Sequence, residues 1–140
     1  MDGKNFRKYR KKLNKTQKQI AQLLGVSIKA VHSYEQGWRS IPVHVERQFY
    51  FLLARKISGA QDPCPCWNQR ECPEYQREQC PVWEFASGNW CWFVSGTICG
   101  GVAYHSWKDK MVQCRTCPVF ESILEKIDTL AWAVKPSAPE

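Results

Sequence analysis

The first 58 residues of this 140-residue chain contain no cysteine and only three acidic residues, Asp2, Glu35 and Glu46. Thirteen Lys and Arg stand against them, so this stretch carries a net charge of +10. Residues 59–140 show the opposite scarcity: seven Lys and Arg, ten Asp and Glu, all eight cysteines, and a net charge of −3. Such a split excludes one evenly mixed domain and points to a basic binding module joined to something of different chemistry. Long apolar runs are missing. The longest stretch without formal charge, Phe85 to Trp107, has 23 residues, of which 13 are apolar and four are glycine. A membrane span needs about 20 predominantly apolar residues, so no membrane partner is expected. An apolar leader is missing as well: Met1-Asp2-Gly3-Lys4 begins no hydrophobic segment and no small-residue cleavage site follows. The expectation is a cytoplasmic protein, in which thiolate–metal chemistry is favoured over disulfides. No Ser/His/Asp set, phosphate loop or carboxylate pair is evident. An enzyme and a small-molecule substrate are therefore not expected.

The basic part reads as helices. Phe6, Tyr9 and Leu13 lie three to four apart on one face of a first helix. Thr16 followed by Gln19 forms a capping box, opening a helix that buries Ile20, Ala21 and Leu24. Gly25 supplies a left-handed stop. Ser27 caps a third helix with Val31 and Tyr34 inside, and Gly37 ends it. Pro42 suits the first turn of a fourth helix, with Val45, Phe49, Leu52, Leu53 and Ile57 on its apolar face.

Two short helices around Gly25-Val26-Ser27 form a helix-turn-helix pattern. Thr16-Gln17-Lys18-Gln19-Ile20-Ala21-Gln22-Leu23-Leu24-Gly25-Val26-Ser27, then Val31-His32-Ser33-Tyr34-Glu35-Gln36-Gly37, resembles the Cro/repressor (XRE-type) helix-turn-helix family over residues 5–56. The resemblance implies a λ-repressor-like bundle that binds double-stranded DNA, with the third helix in the major groove. Ser27, Ile28, Lys29, His32 and Ser33 are then the candidate readers. Lys29 can donate to guanine, and Ile28 can pack on a thymine methyl. His32 is either a reader or a solvated imidazole. Gln17 matches the family's phosphate-contacting position at a helix N-terminus. Lys18, Gln36, Trp38 and Arg39 are candidate flanking phosphate contacts, although Trp38 departs from the family's small or basic residue. Arg10 and Glu35 match an inter-helix ion pair. Lys4, Arg7, Lys8, Lys11, Lys12 and Lys15 form a solvated face that adds long-range attraction to DNA. A homodimer is expected, since such repressors read paired half-sites. The family's usual fifth helix has no counterpart here.

After a turn-rich linker, 59–63, come Cys64, Cys66, Cys72, Cys80, Cys91, Cys99, Cys114 and Cys117. Four of them precede proline, as ligands of iron–sulfur clusters often do. His105 is the only histidine in this part, so a four-thiolate site fits better than a mixed Cys/His zinc site. Iron–sulfur, zinc, and disulfides or free buried thiols all remain open, because no standard spacing is matched. No repeat of fixed period is evident. Cys66-Trp67 and Cys91-Trp92, with Cys114-Arg115-Thr116-Cys117-Pro118, resemble the cysteine-rich "two-CW" domain over residues 64–122. That resemblance implies a module appended to bacterial sensory and regulatory proteins. Cys114 and Cys117 would be a redox pair only in a strand–helix setting. An amphipathic helix is expected over 119–134, docked on the chain or forming a dimer seam, with a tail at 135–140.

The expected fold class is therefore mainly α: a helix-turn-helix bundle at 1–58, then an irregular Cys-rich module stapled by metal or cluster. The expected function is a transcriptional regulator whose second module binds zinc or an iron–sulfur cluster and senses redox or metal state. The alternative is a zinc-stapled interaction module tethered to DNA, with no sensing role.

Overall fold

A computed structural model describes residues 1–57 and 65–129. The linker 59–63, Cys64, the last part of the expected 119–134 helix and the tail lie outside the described residues. The described chain is mainly helical and gathers into two compact units, residues 1–53 and 54–129.

The first unit holds α1 (Gly3–Lys12), α2 (Gln17–Leu24), α3 (Ile28–Glu35) and most of α4 (Val43–Ile57). Local chemistry sets their ends. The Thr16 hydroxyl accepts from the Gln19 amide at 3.1 Å, and the Gln19 side chain accepts from the Thr16 amide at 3.0 Å, completing the capping box. Gly25 ends α2 at φ +66°, a left-handed conformation that only glycine adopts without strain. The Ser27 hydroxyl accepts from the Ala30 amide at 3.1 Å and starts α3. The core is aromatic. Phe6 and Phe49, both fully buried, meet edge to face at 4.7 Å between centroids, and Phe6 meets Tyr34 at 5.8 Å. A Cβ on Gly3 would fall 2.2 Å from the Tyr34 carbonyl oxygen, so only glycine lets α1 come this close to α3.

The second unit is built from short pieces. Three one-turn helices, α5 (Cys66–Gln69), α6 (Glu74–Arg77) and α7 (Pro81–Glu84), follow in succession. Each starts at a proline, Pro65, Pro73 or Pro81, that follows a cysteine. Proline's fixed φ suits a helix start and its missing N–H costs nothing there. The Cys-Pro steps at 64, 72 and 80 are thus a short repeat in the sequence after all. A 3₁₀ turn (Cys91–Phe93) leads to an antiparallel hairpin, β1 (Thr97–Cys99) and β2 (Val102–Tyr104), with Thr97 opposite Tyr104. Gly100 and Gly101, at φ +62° and +82°, make its two-residue turn. Two longer helices follow, α8 (Trp107–Cys114) and α9 (Pro118–Thr129). Trp92, fully buried, packs against Phe93, Trp107 and Phe120 at centroid distances of 5.6–6.4 Å. Trp107 is buried as well, whereas Trp83 is exposed.

Candidate DNA-reading face and thiol cavity

α3 divides into two faces. Ala30, Val31, Tyr34 and Glu35 are buried, which leaves Ser27, Ile28, Lys29, His32 and Gln36 exposed. Ile28 and His32 are four apart and share one side of the helix, with Lys29 beside them. Ser33 is half-buried. Trp38 is 74% exposed, and its ring meets His32 edge to face at 5.4 Å. Arg39 lies over the Tyr34 ring at 6.0 Å, exposed like Lys18. The aromatic at position 38 is thus joined to the exposed side of α3 through His32.

Glu35 anchors this face from behind. Its side chain is fully buried, and Arg10 donates to both carboxylate oxygens, through Nε to Oε1 and through Nη2 to Oε2 at 3.2 Å. Arg7 Nε stands 3.6 Å from Oε2. Burial alone would raise the Glu35 pKa. The hydrogen bonds from Arg10 and Gln17 and the charges of Arg10 and Arg7 outweigh it and hold the carboxyl below its ordinary value. The Arg10–Glu35 pair follows the family resemblance. Two partners were not foreseen: Arg7, read as a solvated residue, and Gln17, whose Nε2 donates to Glu35 Oε2 at 2.9 Å. The candidate phosphate contact is therefore also tied into the ion-pair network.

All seven described cysteines, Cys66, Cys72, Cys80, Cys91, Cys99, Cys114 and Cys117, are free thiols and line one cavity of about 260 Å³ in the second unit. Cys64 lies outside the described residues. Arg70 Nη1 donates to Cys117 Sγ at 3.2 Å, and the Ile98 amide donates to Cys80 Sγ at 3.5 Å. Hydrogen bonding between Cys66 and Cys91, together with burial, pushes the Cys91 thiol well up. Burial pushes Cys114 up to about 12 against the pull of Lys110. Such a thiol is a poor nucleophile at neutral pH. Cys114 ends α8 and Cys117 precedes α9, so the pair sits between two helices and lacks the strand–helix setting of a dithiol redox site. Among the described residues no three His, Cys, Asp or Glu are grouped as one metal ion requires.

Two residues of this cavity carry no signal in cysteine spacing. Arg70 reaches it from the end of α5. Lys110 reaches it from α8, 2% exposed, with its ammonium on the Thr97 hydroxyl. One clue was available: Lys110 falls on the apolar helix face of Trp107, Met111 and Cys114. No described helix is long and apolar enough to cross a membrane.

Among known families, a model described as helix-turn-helix matches residues 6–43. No curated protein and no solved structure matches the chain. The matched stretch contains α2, the Gly25 turn and α3, so the first unit carries a helix-turn-helix of the DNA-binding kind.

Proposed function

We propose that this chain is a transcriptional regulator that binds double-stranded DNA sequence-specifically, as a homodimer on paired half-sites, and that its second unit is a thiolate site for a metal or cluster whose state changes operator affinity. The carrying observation is the division of α3, with Ile28, Lys29 and His32 exposed on one side and Val31 and Tyr34 buried on the other. A helix presented this way fits the major groove. In this reading Lys29, Ile28 and His32 meet base edges, and Ser27 and Ser33 flank them. Gln17, Lys18, Gln36, Trp38 and Arg39 hold the backbone.

Sites selected from a random DNA pool provide the test. Lys29→Ala should cost about 1–3 kcal/mol on the selected site and relax preference at one position. Lys18→Ala should weaken all sequences alike and reduce the salt slope by about one. A pool that yields no preferred site would sink the reading. An operator affinity that does not change when the thiolate site is loaded and stripped would remove the sensing part alone.

A further inference from the structure

Building on the thiolate site proposed above, we infer that the cavity of the second unit takes an anionic iron–sulfur cluster, with Lys110 and Arg70 as positioning residues that supply its countercharge. Three features of the cavity carry this inference. The first is charge. Arg70, Arg77 and Lys110 line the cavity, and no carboxylate among the described residues does. Lys110 is 2% exposed, and among the described residues its ammonium donates to the neutral hydroxyl of Thr97. A lysine this buried is almost never left without an opposite charge. Among the described residues, cysteines are the cavity-lining side chains able to supply negative charge in quantity, and a cluster held by four thiolates keeps a net negative charge.

The second feature is the spread of the donors. Zinc bonds sulfur at about 2.3 Å in a tetrahedron, which draws four sulfurs into one tight group. No such group of three donors exists among the described residues, yet seven thiols face the same space of about 260 Å³. A multi-iron cluster holds its thiolates farther apart than a single ion does and occupies the space between them. The third feature is the set of donors aimed at sulfur. The Ile98 amide points at Cys80 Sγ, and the Arg70 guanidinium points at Cys117 Sγ. Hydrogen bonds to cluster sulfurs and nearby charge are what set a cluster's potential.

The test uses the full chain, purified without oxygen, stripped by chelator, and offered either ferrous iron with sulfide or zinc. Iron, acid-labile sulfide, zinc and visible absorption are measured. The cluster's midpoint potential and its bleaching rate in chelator are then compared across the wild type, Lys110→Met, Lys110→Arg and Arg70→Met. The expected result is iron and acid-labile sulfide bound together with visible charge-transfer absorption. Lys110→Met should shift the potential to more negative values, because removing a cation disfavours the added electron. It should also speed bleaching about tenfold or more. Lys110→Arg should restore most of both, and Arg70→Met should give a smaller shift of the same sign.

Zinc or iron bound without sulfide would overturn the cluster while leaving the thiolate site standing. No bound metal of any kind would overturn both. A cluster whose potential and bleaching ignore Lys110→Met and Arg70→Met would overturn the countercharge role. If Lys110→Met does not fold, as judged by circular dichroism, Arg70→Met decides, since Arg70 is only half-buried.

Discussion

The first unit closes around aromatic rings and two buried carboxylates, Glu35 and Glu46, and the second around tryptophans, thiols and one buried ammonium. The difference lies in how each buried charge is answered. Glu35 meets Arg10, Arg7 and Gln17, all within the same unit. Its cost of leaving water is offset by groups the fold itself supplies. Lys110 meets the Thr97 hydroxyl in a cavity lined by cysteines. The first unit answers its buried carboxylates from within the folded chain. In the second unit the proposed metal or cluster would supply that answer, since its ligands bind as thiolates.

The comparison can be broken most directly through the aromatic core. Phe49→Ala should cost the first unit about 3–5 kcal/mol, read by urea unfolding. Hydrogen exchange at Trp92 and Phe120 should stay as it was. Equal loss of protection in both units would mean they do not fold separately. Next in size is Arg10→Ala, which strands the buried carboxylate and should cost about 3 kcal/mol. Glu35→Gln with Arg10 intact should cost less, since no buried negative charge is left unanswered.

The pH dependence should have opposite signs in the two units. Glu35 is held below its ordinary value by its partners despite burial. Its contribution is therefore present above about pH 4.3, the unfolded value, and is lost as pH falls through the lower folded value. Cys114 is raised by burial to about 12. The unfolded thiol ionises first, near pH 8.5, so the metal-free second unit should lose stability as pH rises from there toward 12. Acid titration followed by exchange at α3, and alkaline titration followed at α8, separate the two. Loss of α8 on the acid side first would contradict this assignment. The smallest expected effects are at matched helix caps. Thr16→Ala and Ser106→Ala each remove a hydroxyl that accepts from a backbone amide at 3.1 Å. Each should cost about 1 kcal/mol, in its own unit only.

Much of the first unit was legible in its residues. Thr16 with Gln19, Gly25 at a left-handed position and Ser27 at a cap all act within a few residues of themselves, so their spacing is their mechanism. Periodicity placed Phe6, Tyr9, Ile20, Ala21, Leu24, Val31, Tyr34, Val45, Phe49 and Leu53 inside, and all of them are buried. Leu52 is only half-buried, and so is Leu13, which stands past the end of α1 as its C-cap. In the second unit α8 carries a cap and a mixed face, but α5, α6 and α7 are four residues each, too short for any period to register. Their signal was the proline after cysteine at eight-residue steps.

Where helices start and stop in the first unit, which face of each turns inward, and that a helix-turn-helix lies within residues 6–43 all follow from the order of residues. Caps, glycine stops and helical periodicity are interactions between near neighbours, and near neighbours are what a sequence displays. Packing in three dimensions turns Gln17 to Glu35, 18 residues away, and brings Arg70 to Cys117 across 47. It alone placed seven thiols around one cavity and buried Lys110 among them. These are long-range encounters, set by how irregular turns pack, and no spacing along the chain encodes them.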